Sequence, residues 1–199
     1  GCPSTISIDS STGAITGTPL NADVGASTCI VTATDDGTGT LSADDVFVLT
    51  VTNTNDAPTV TSAIADASTA EDAAYSLDAS SMCTDVDVGD SLAYTMSGAP
   101  STLSISSGTI SGTPLNADVG THTITVTCTD DSSAAASATD SYDLTVTNTN
   151  DAPAVSTAIS DTSIAEDATT LSLSASFADV DVGDTLTYTM SGCPSTISI

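Results

Sequence analysis

The chain has 199 residues, of which 26 are acidic and none is lysine or arginine, so its formal net charge is −26 at pH 7. Because protein cations are needed to neutralise nucleic-acid phosphates, no nucleic-acid partner is expected, and an anionic membrane surface would repel the chain. The composition also excludes a catalytic lysine, an arginine clamp and a phosphate-binding P-loop. No apolar run approaches the roughly 20 residues of a membrane-spanning helix, so we expect no membrane contact from this segment.

The sequence repeats itself with a long period. Residues 17–25 recur as residues 112–120, and residues 51–58 recur as residues 146–153. The repeating unit is therefore about 95 residues long, which is the size of an immunoglobulin-like sandwich.

The phase of the repeat divides the chain into three parts. The octapeptide Gly-Cys-Pro-Ser-Thr-Ile-Ser-Ile stands at residues 1–8 and again at residues 192–199. We expect residues 1–52 to be the C-terminal half of one module, 53–148 a complete module and 149–199 the N-terminal half of the next. This phase predicts one period of a longer repetitive polymer. The alternative is a subunit whose end strands complete its neighbours.

Within the units, side chains alternate with the period of a β-strand. Phe47, Leu49 and Val51 alternate along one segment, and the equivalent segment repeats the pattern one period later. Residues 121–128 alternate threonine with apolar residues or histidine. Gly-Thr-Pro and Asp-Asp segments supply turns, and no stretch has helical periodicity. Short alternating strands with regular turns predict an all-β sandwich.

The rarest residue types fall at repeated positions. The two glutamates, Glu71 and Glu166, both stand in Ala-Glu-Asp. The six asparagines occupy only two motifs. They are Asn21 and Asn116 in one motif, and Asn53, Asn55, Asn148 and Asn150 in the other. Solvated loop carboxylates explain isolated acids such as Asp44 and Asp45, but this sorting favours a shared role for the motif residues.

Four motifs together resemble cadherin-like repeats of the dystroglycan and bacterial surface-adhesin type. They are Asn-Thr-Asn-Asp-Ala-Pro at each joint, Ala-Glu-Asp early in the module, Asp-Val-Asp-Val-Gly-Asp in its middle, and Val-Thr-Ala-Thr-Asp or Val-Thr-Cys-Thr-Asp late. The resemblance covers the whole chain. It implies tandem immunoglobulin-like, seven-stranded Greek-key sandwiches with calcium bound between consecutive modules.

The resemblance also implies which residues bind the calcium. Calcium prefers six to eight oxygen ligands, and carboxylates that lie close together cannot all ionise without a cation. Since the chain has no lysine or arginine, that cation comes from solution, or else the carboxylates keep raised pKa values. Magnesium fits less well because it prefers an octahedral, water-rich shell. The expected ligands are Asn53, Asn55, Asp56, Asp85, Asp87 and Asp130 at the first joint, and Glu71, Asp118, Asn148, Asn150, Asp151, Asp179 and Asp181 at the second.

The five cysteines fit no zinc motif. Cys83 and Cys128 each precede an expected calcium ligand by two residues, so we expect them to form a disulfide at that end of the sandwich. Cys2 and Cys193 share one repeat position. We expect Cys2 to bond Cys29, and Cys193 to bond Cys29 of the next repeat period. Buried free thiols are the alternative. Disulfides would indicate an extracellular or cell-surface location.

Little in the sequence indicates an enzyme. His122 is the only histidine, and a structural role fits it better than catalysis. Paired aspartates recur at module ends rather than in one cleft. We therefore predict a structural repeat segment of an extracellular filament or giant surface protein, rigidified by calcium, whose partners are copies of itself or adjoining repeats along a fibre. The alternatives are an adhesin module that binds carbohydrate or protein and, less compellingly, a soluble protein of a halophile.

Overall fold

The computed structural model describes residues 1–168, 170–194 and 197. The second octapeptide and the last expected half-module, 149–199, therefore lie partly outside the described residues. Within those residues the regular structure consists of fifteen β-strands and two short 3-10 turns, without an α-helix. No helix in this part of the chain is long and apolar enough to cross a membrane.

The first unit contains two antiparallel hairpins. Its strands are β1 (Ile6–Ile8), β2 (Ile15–Gly17), β3 (Gly25–Thr34) and β4 (Ser42–Val51). Strand β1 pairs with β2, and β3 pairs with β4 in a register that places Cys29 opposite Phe47. A 3-10 turn, Asn21–Asp23, joins the two hairpins.

The central unit is a two-sheet sandwich. Its strands are β5 (Thr59–Val60), β6 (Ala67–Ala70), β7 (Tyr75–Asp78), β8 (Cys83–Thr84), β9 (Ala93–Ser97), β10 (Leu103–Ser106), β11 (Thr109–Gly112), β12 (Gly120–Thr129) and β13 (Ser137–Thr147). One sheet has the order β6-β13-β12-β9 and the other the order β10-β11-β7, while β5 pairs with β8. Strand β6 runs parallel to β13, and the other pairs are antiparallel. A second 3-10 turn, Asn116–Asp118, precedes β12.

The core of the sandwich follows from the alternation along the strands. On β12, Ile124 and Val126 are fully buried while the intervening threonines lie on the outer face. Tyr142, Leu144 and Val146 on β13 face the same core. Burying an aliphatic side chain of this size contributes about 1.5–3 kcal/mol, so these strands supply much of the stabilisation of the unit. The prediction of immunoglobulin-like sandwich repeats is confirmed.

Two disulfide bonds tie the first and central units internally, so the expectation of disulfides is confirmed. Cys2 bonds Cys29 with a Cα–Cα distance of 4.6 Å. Cys83 on β8 bonds Cys128 on β12 with a Cα–Cα distance of 6.6 Å. Cys193 is a free, exposed thiol in the described chain, and its expected bond to another repeat period stays a prediction.

The third unit contributes one hairpin-like pair. Strands β14 (Ala154–Thr157) and β15 (Ser176–Ala178) pair antiparallel and place Val155 opposite Phe177. Val155 and Phe177 are both exposed. The equivalent of Phe177 in the central unit is Cys83, which is buried, whereas Val60, the equivalent of Val155, is exposed as Val155 is.

Candidate metal centres at the two joints

The loop after β8 brings three carboxylates of the first joint together. Oxygen atoms of Asp85, Asp87 and Asp90 lie within 4.8 Å of one another. The backbone N–H of Asp87 donates to Asp85 Oδ1 at 2.9 Å, and the N–H of Asp90 donates to the Asp87 carbonyl oxygen at 3.4 Å. These local bonds turn the Asp-Val-Asp-Val-Gly-Asp segment so that its carboxylates converge.

The linker between the units closes this cluster. The N–H of Asp56 donates to Asp87 Oδ2 at 2.7 Å. The Asn55 amide donates to Asp130 Oδ2 at 2.9 Å, and Asp130 itself is buried. The structure therefore brings five predicted residues together at one end of the central sandwich. They are Asn55, Asp56, Asp85, Asp87 and Asp130.

Several oxygens of this cluster lack a partner within the described chain. Asp85 Oδ2, Asp87 Oδ1 and Asp90 Oδ2 are buried without a hydrogen-bond donor. Burial raises the pKa of Asp90, and the nearby carboxylates, Asp131 first among them, raise it further. A buried acceptor without a donor costs about 1–3 kcal/mol, and more when it is charged. Oxygen donors of this kind fit a hard divalent cation such as calcium.

The second joint carries two carboxylate groups that share one residue. Oxygens of Glu71, Asp151 and Asp181 lie within 4.8 Å of one another, and so do those of Asp179, Asp181 and Asp184. Glu71 follows β6 of the central unit, whereas Asp181 belongs to the next unit. Acids of two consecutive units therefore meet at this joint.

Backbone and amide donors hold the shared residues in place. The N–H of Asp151 donates to Asp181 Oδ2 at 2.7 Å, and the Asn116 amide donates to Asp181 Oδ1 at 3.1 Å. The N–H of Thr149 donates to Glu71 Oε1 at 2.9 Å, while Glu71 Oε2 is buried without a donor in the described chain. Burial, followed by the charges of nearby acids with Asp181 first, raises the pKa of Asp151.

Four of the predicted ligands do not belong to these carboxylate groups. Asn53 and Asn148 are exposed in the two linkers. The Asn150 amide donates to the Asp151 carbonyl oxygen at 3.0 Å. Asp118 Oδ2 accepts hydrogen bonds from Leu115 N–H at 3.0 Å and from the Thr102 hydroxyl at 2.7 Å, and these donors lower the pKa of Asp118. Asp118 thus caps a 3-10 turn and stands outside the two carboxylate groups, and its role as a ligand stays a prediction.

Sequence reasoning missed four residues of the joints. Asp90 and Asp184 complete the carboxylate groups, and both end the Asp-Val-Asp-Val-Gly-Asp motif, which was their available signal. The Asn21 amide donates to Asp56 Oδ2 at 2.9 Å, in the way that Asn116 reaches Asp181. The restriction of asparagine to two motifs was the signal for Asn21 and Asn116.

Comparison with known proteins identifies the kind of repeat. The family described as "Putative Ig domain" matches residues 1–52 and 57–147. A serine-rich adhesin for platelets from Staphylococcus aureus (strain MRSA252) is 37% identical over 147 residues, which are 72% of this chain and 10% of that protein. The corresponding adhesin of strain MW2 is also 37% identical over 147 residues, which are 6% of its length. The chain therefore spans a tenth or less of these relatives.

Solved cadherin structures share the fold. Domains EC22–24 of mouse cadherin-23 match with a TM-score of 0.55 and 19% identity over 73% of this chain and 50% of that chain. The protocadherin gamma B4 extracellular domain matches with a TM-score of 0.55 and 22% identity over 91% of this chain and 34% of that chain. The chain thus has a cadherin-like, immunoglobulin-like fold, is similar in sequence to an adhesin, and lies at the cell surface or in the extracellular space. Because the family match covers 1–52 and 57–147, the chain belongs to the Putative Ig domain family.

Proposed function

We propose that this chain is a structural repeat segment of an extracellular filament or giant surface protein, and that calcium bound at its joints makes the repeats rigid. The observation that carries the proposal is the set of buried carboxylate oxygens without donors at both joints. Since the chain has no lysine or arginine, a cation from solution is the available source of positive charge.

The first joint offers oxygen donors from the central unit and from the linker that precedes it. At the first joint, Asp85, Asp87 and Asp90 would hold the ion, with Asp130 and the linker residue Asp56 beside them. Calcium would supply charge neutralisation, and its tolerance of six to eight oxygens in irregular arrangements suits these loops better than the octahedral shell of magnesium.

At the second joint an ion would connect two units. Glu71 lies in the central unit, Asp151 in the linker and Asp181 in the following unit. A cation among these three groups would replace mutual repulsion by shared coordination, so bending the linker would require ligands to leave the ion. The exposed amides of Asn53 and Asn148 are proposed to contribute from the linkers.

The proposed domain organisation follows the same joints. Residues 1–52 form the C-terminal half of one module, 53–148 a complete module and 149–199 the N-terminal half of the next. In such an array each module contacts mainly its neighbours, so stability is nearly a sum over units and joints. Its partners along the fibre would be copies of itself or adjoining repeats, and the segment would have no catalytic role.

Calcium titration tests this proposal. Isothermal titration calorimetry of the metal-free chain with Ca²⁺ should show saturable binding, and small-angle X-ray scattering should show the maximum dimension increasing with reduced flexibility. The double variant Asp85→Asn/Asp87→Asn should lose binding at the first joint. Its matched control, Asp44→Asn/Asp45→Asn, changes two exposed acids on β4 and should bind as the wild type does. Absence of calcium binding, or scattering that does not change in excess chelator, would refute the proposal.

An adhesin module that binds carbohydrate or protein is the second candidate. The observation favouring it is the similarity to a serine-rich adhesin for platelets, a name that describes the relative's target rather than this chain's. Immobilised chain tested against a glycan array and against platelet surface proteins would support this candidate if it showed saturable binding that survives a change of ionic strength.

A further inference from the structure

The carboxylate loop of the first joint begins at a weakly paired strand. Residues 85–90 follow β8, which is two residues long and pairs in the described chain with β5 alone. Asp130, which the Asn55 amide ties to the same joint, follows β12 instead. Strand β12 is ten residues long and lies between β13 and β9 in the four-stranded sheet. The two sides of the joint therefore differ in how firmly the backbone holds them.

One covalent bond connects these two sides. The Cys83–Cys128 disulfide joins β8 to β12. Cys83 stands two residues before Asp85, and Cys128 stands two residues before Asp130. Both cysteines are buried in the core of the central unit. The disulfide therefore ties the start of the carboxylate loop to the most firmly held strand of the sandwich.

The other contacts of the loop are non-covalent. Met82, next to Cys83, is buried in the core. At the far end of the loop the Ser91 hydroxyl donates to Asp131 Oδ2 at 2.8 Å, and this contact is exposed. The linker adds the hydrogen bond from Asp56 N–H to Asp87 Oδ2. We therefore expect loss of the disulfide to loosen the loop without detaching it.

Repulsion within the loop acts against these contacts. Oxygens of Asp85, Asp87 and Asp90 lie within 4.8 Å of one another, and one oxygen of each is buried without a donor in the described chain. Without a cation, like charges favour loop conformations in which these carboxylates lie further apart. A cross-link that restricts such conformations keeps the ligands near the arrangement that an ion needs. Preorganisation of this kind raises affinity because binding then has less ordering to complete.

We propose that the Cys83–Cys128 disulfide positions the calcium ligands of the first joint, so that a dithiol reductant that opens the bond lowers the calcium affinity of this joint. The inference rests on the proposed calcium function. Losing an outer contact that orients metal ligands reduces metal affinity by about 10–100-fold. Because the non-covalent contacts of the loop remain, we expect a loss of about tenfold.

The redox step balances with the dithiol as the reductant. The bond between the sulfur atoms of Cys83 and Cys128 breaks, and each sulfur gains a hydrogen atom. The dithiol gives up two electrons and two protons and closes to its own disulfide.

The second joint carries no such cross-link in the described chain. Phe177, two residues before Asp179, stands at the position equivalent to Cys83. The other disulfide, Cys2–Cys29, has one end in the middle of β3 and does not adjoin a carboxylate group of the described residues. A reductant should therefore change calcium binding at the first joint alone, and the second joint and the Cys2–Cys29 bond both supply controls.

Thermodynamic linkage makes the effect reciprocal. If calcium binds the disulfide form more tightly than the dithiol form, calcium stabilises the disulfide against reduction by the same factor. A tenfold ratio of affinities lowers the midpoint potential of this two-electron couple by about 30 mV in saturating calcium. A cross-link that stabilises the unit without positioning the ligands would have the same midpoint potential with and without calcium.

Redox equilibria of the full chain test the proposal. The wild type is equilibrated in mixtures of reduced and oxidised dithiothreitol, in saturating Ca²⁺ and in chelator, and the two disulfides are followed separately by alkylation and mass spectrometry. The midpoint potential of Cys83–Cys128 should fall by about 30 mV in calcium, and that of Cys2–Cys29 should stay the same. In the Asp85→Asn/Asp87→Asn variant the shift should disappear, although the second joint still binds calcium.

Calorimetry measures the other side of the linkage. Cys83→Ala/Cys128→Ala removes the bond, and Cys83→Phe/Cys128→Ala removes it with the residue types that the neighbouring units carry at these positions. Each variant should bind calcium about tenfold more weakly at the first joint and with unchanged affinity at the second. The matched control, Cys2→Ala/Cys29→Ile, introduces the residue types of the central unit at the other disulfide and should bind calcium as the wild type does.

The outcomes separate this inference from the calcium proposal. A wild type that binds no calcium refutes both. Calcium binding with a Cys83–Cys128 potential that is the same in calcium and in chelator refutes the positioning role and leaves the calcium proposal standing. A shift that persists in the Asp85→Asn/Asp87→Asn variant also refutes it, because the coupling would then run through the stability of the whole unit. If neither cysteine variant folds, the potentials of the wild type decide.

Discussion

Replacing Glu71 by glutamine should raise the stability of the chain in chelator and lower its affinity for calcium. Glu71 is buried, its Oε1 accepts a hydrogen bond from Thr149 N–H, and its Oε2 is buried without a donor in the described chain. Glutamine keeps the shape and can keep the bond to Thr149. Its amide group then replaces Oε2 and can donate to the neighbouring carboxylates of Asp151 and Asp181.

The structure sets the size of the effect. Oxygens of Glu71, Asp151 and Asp181 lie within 4.8 Å of one another. At the largest of these separations two unit charges repel by about 3.5 kcal/mol at an effective dielectric constant of about 20, so two such pairs amount to about 7 kcal/mol. Solvent screening and relaxation reduce this value. We expect the variant to be more stable than the wild type by about 1–3 kcal/mol in chelator, and the pKa of Asp151 to fall.

Calcium should reduce the stability advantage of the variant. The variant lacks one ligand charge, so its calcium affinity at the second joint should fall by about tenfold or more, which corresponds to about 1.4 kcal/mol. Differential scanning calorimetry in chelator and in saturating Ca²⁺ measures both effects, with an expected rise in Tm of about 4–8 °C per kcal/mol for a module of this size. The wild type should gain more from calcium than the variant gains.

The chain supplies its own control for this variant. Glu166 occupies the equivalent Ala-Glu-Asp position but is exposed and stands outside the carboxylate groups of the described residues. Glu166→Gln should leave stability and calcium affinity unchanged. If Glu71→Gln were less stable than the wild type in chelator, or bound calcium with unchanged affinity, the argument from buried like charges would be wrong.

Two further predictions concern a disulfide bond and an exposed carboxylate. Replacing Cys83 and Cys128 together by alanine should cost about 4 kcal/mol in a urea unfolding experiment, because the disulfide closes a loop with a sequence separation of 45. A loss below about 1 kcal/mol would contradict that reasoning. Hydrogen bonds from Ser11 lower the pKa of Asp9 from 3.8 to about 2. The Asp9 contribution to stability is therefore present above the unfolded pKa and lost as the pH falls from 3.8 to about 2. An NMR titration should show this pKa, and Ser11→Ala should raise it.

Much of the fold could be predicted from two sequence features. They are the alternation of apolar and polar side chains along the strands and the repeat of about 95 residues. The threonine–apolar alternation of residues 121–128 appears in the structure as β12, with its apolar side chains in the core. The repeated Asn-Thr-Asn-Asp-Ala-Pro motif indicated where the linkers lie. The carboxylate groups lie beside these linkers. These features depend on side-chain order along a strand, which a single sequence shows directly.

The details of the joints depended on loop geometry that the sequence does not show. Asn21 reaches Asp56 because a 3-10 turn directs its amide toward the linker, and this turn has no periodic signature. The carboxylate of Asp118, whose role as a ligand stays a prediction, accepts hydrogen bonds from Leu115 N–H and from the Thr102 hydroxyl. Both contacts depend on how the loops fold, which the order of residues in the sequence does not show.

Asp181 belongs to both carboxylate groups of the second joint, whereas the first joint gathers one such group among the described residues. An ion bound in either group of the second joint would fix Asp181, so the other group would bind its ion with less ordering to complete. We therefore expect the second joint to respond steeply to the calcium concentration. The external calcium concentration would then set, over a narrow range, whether this joint bends.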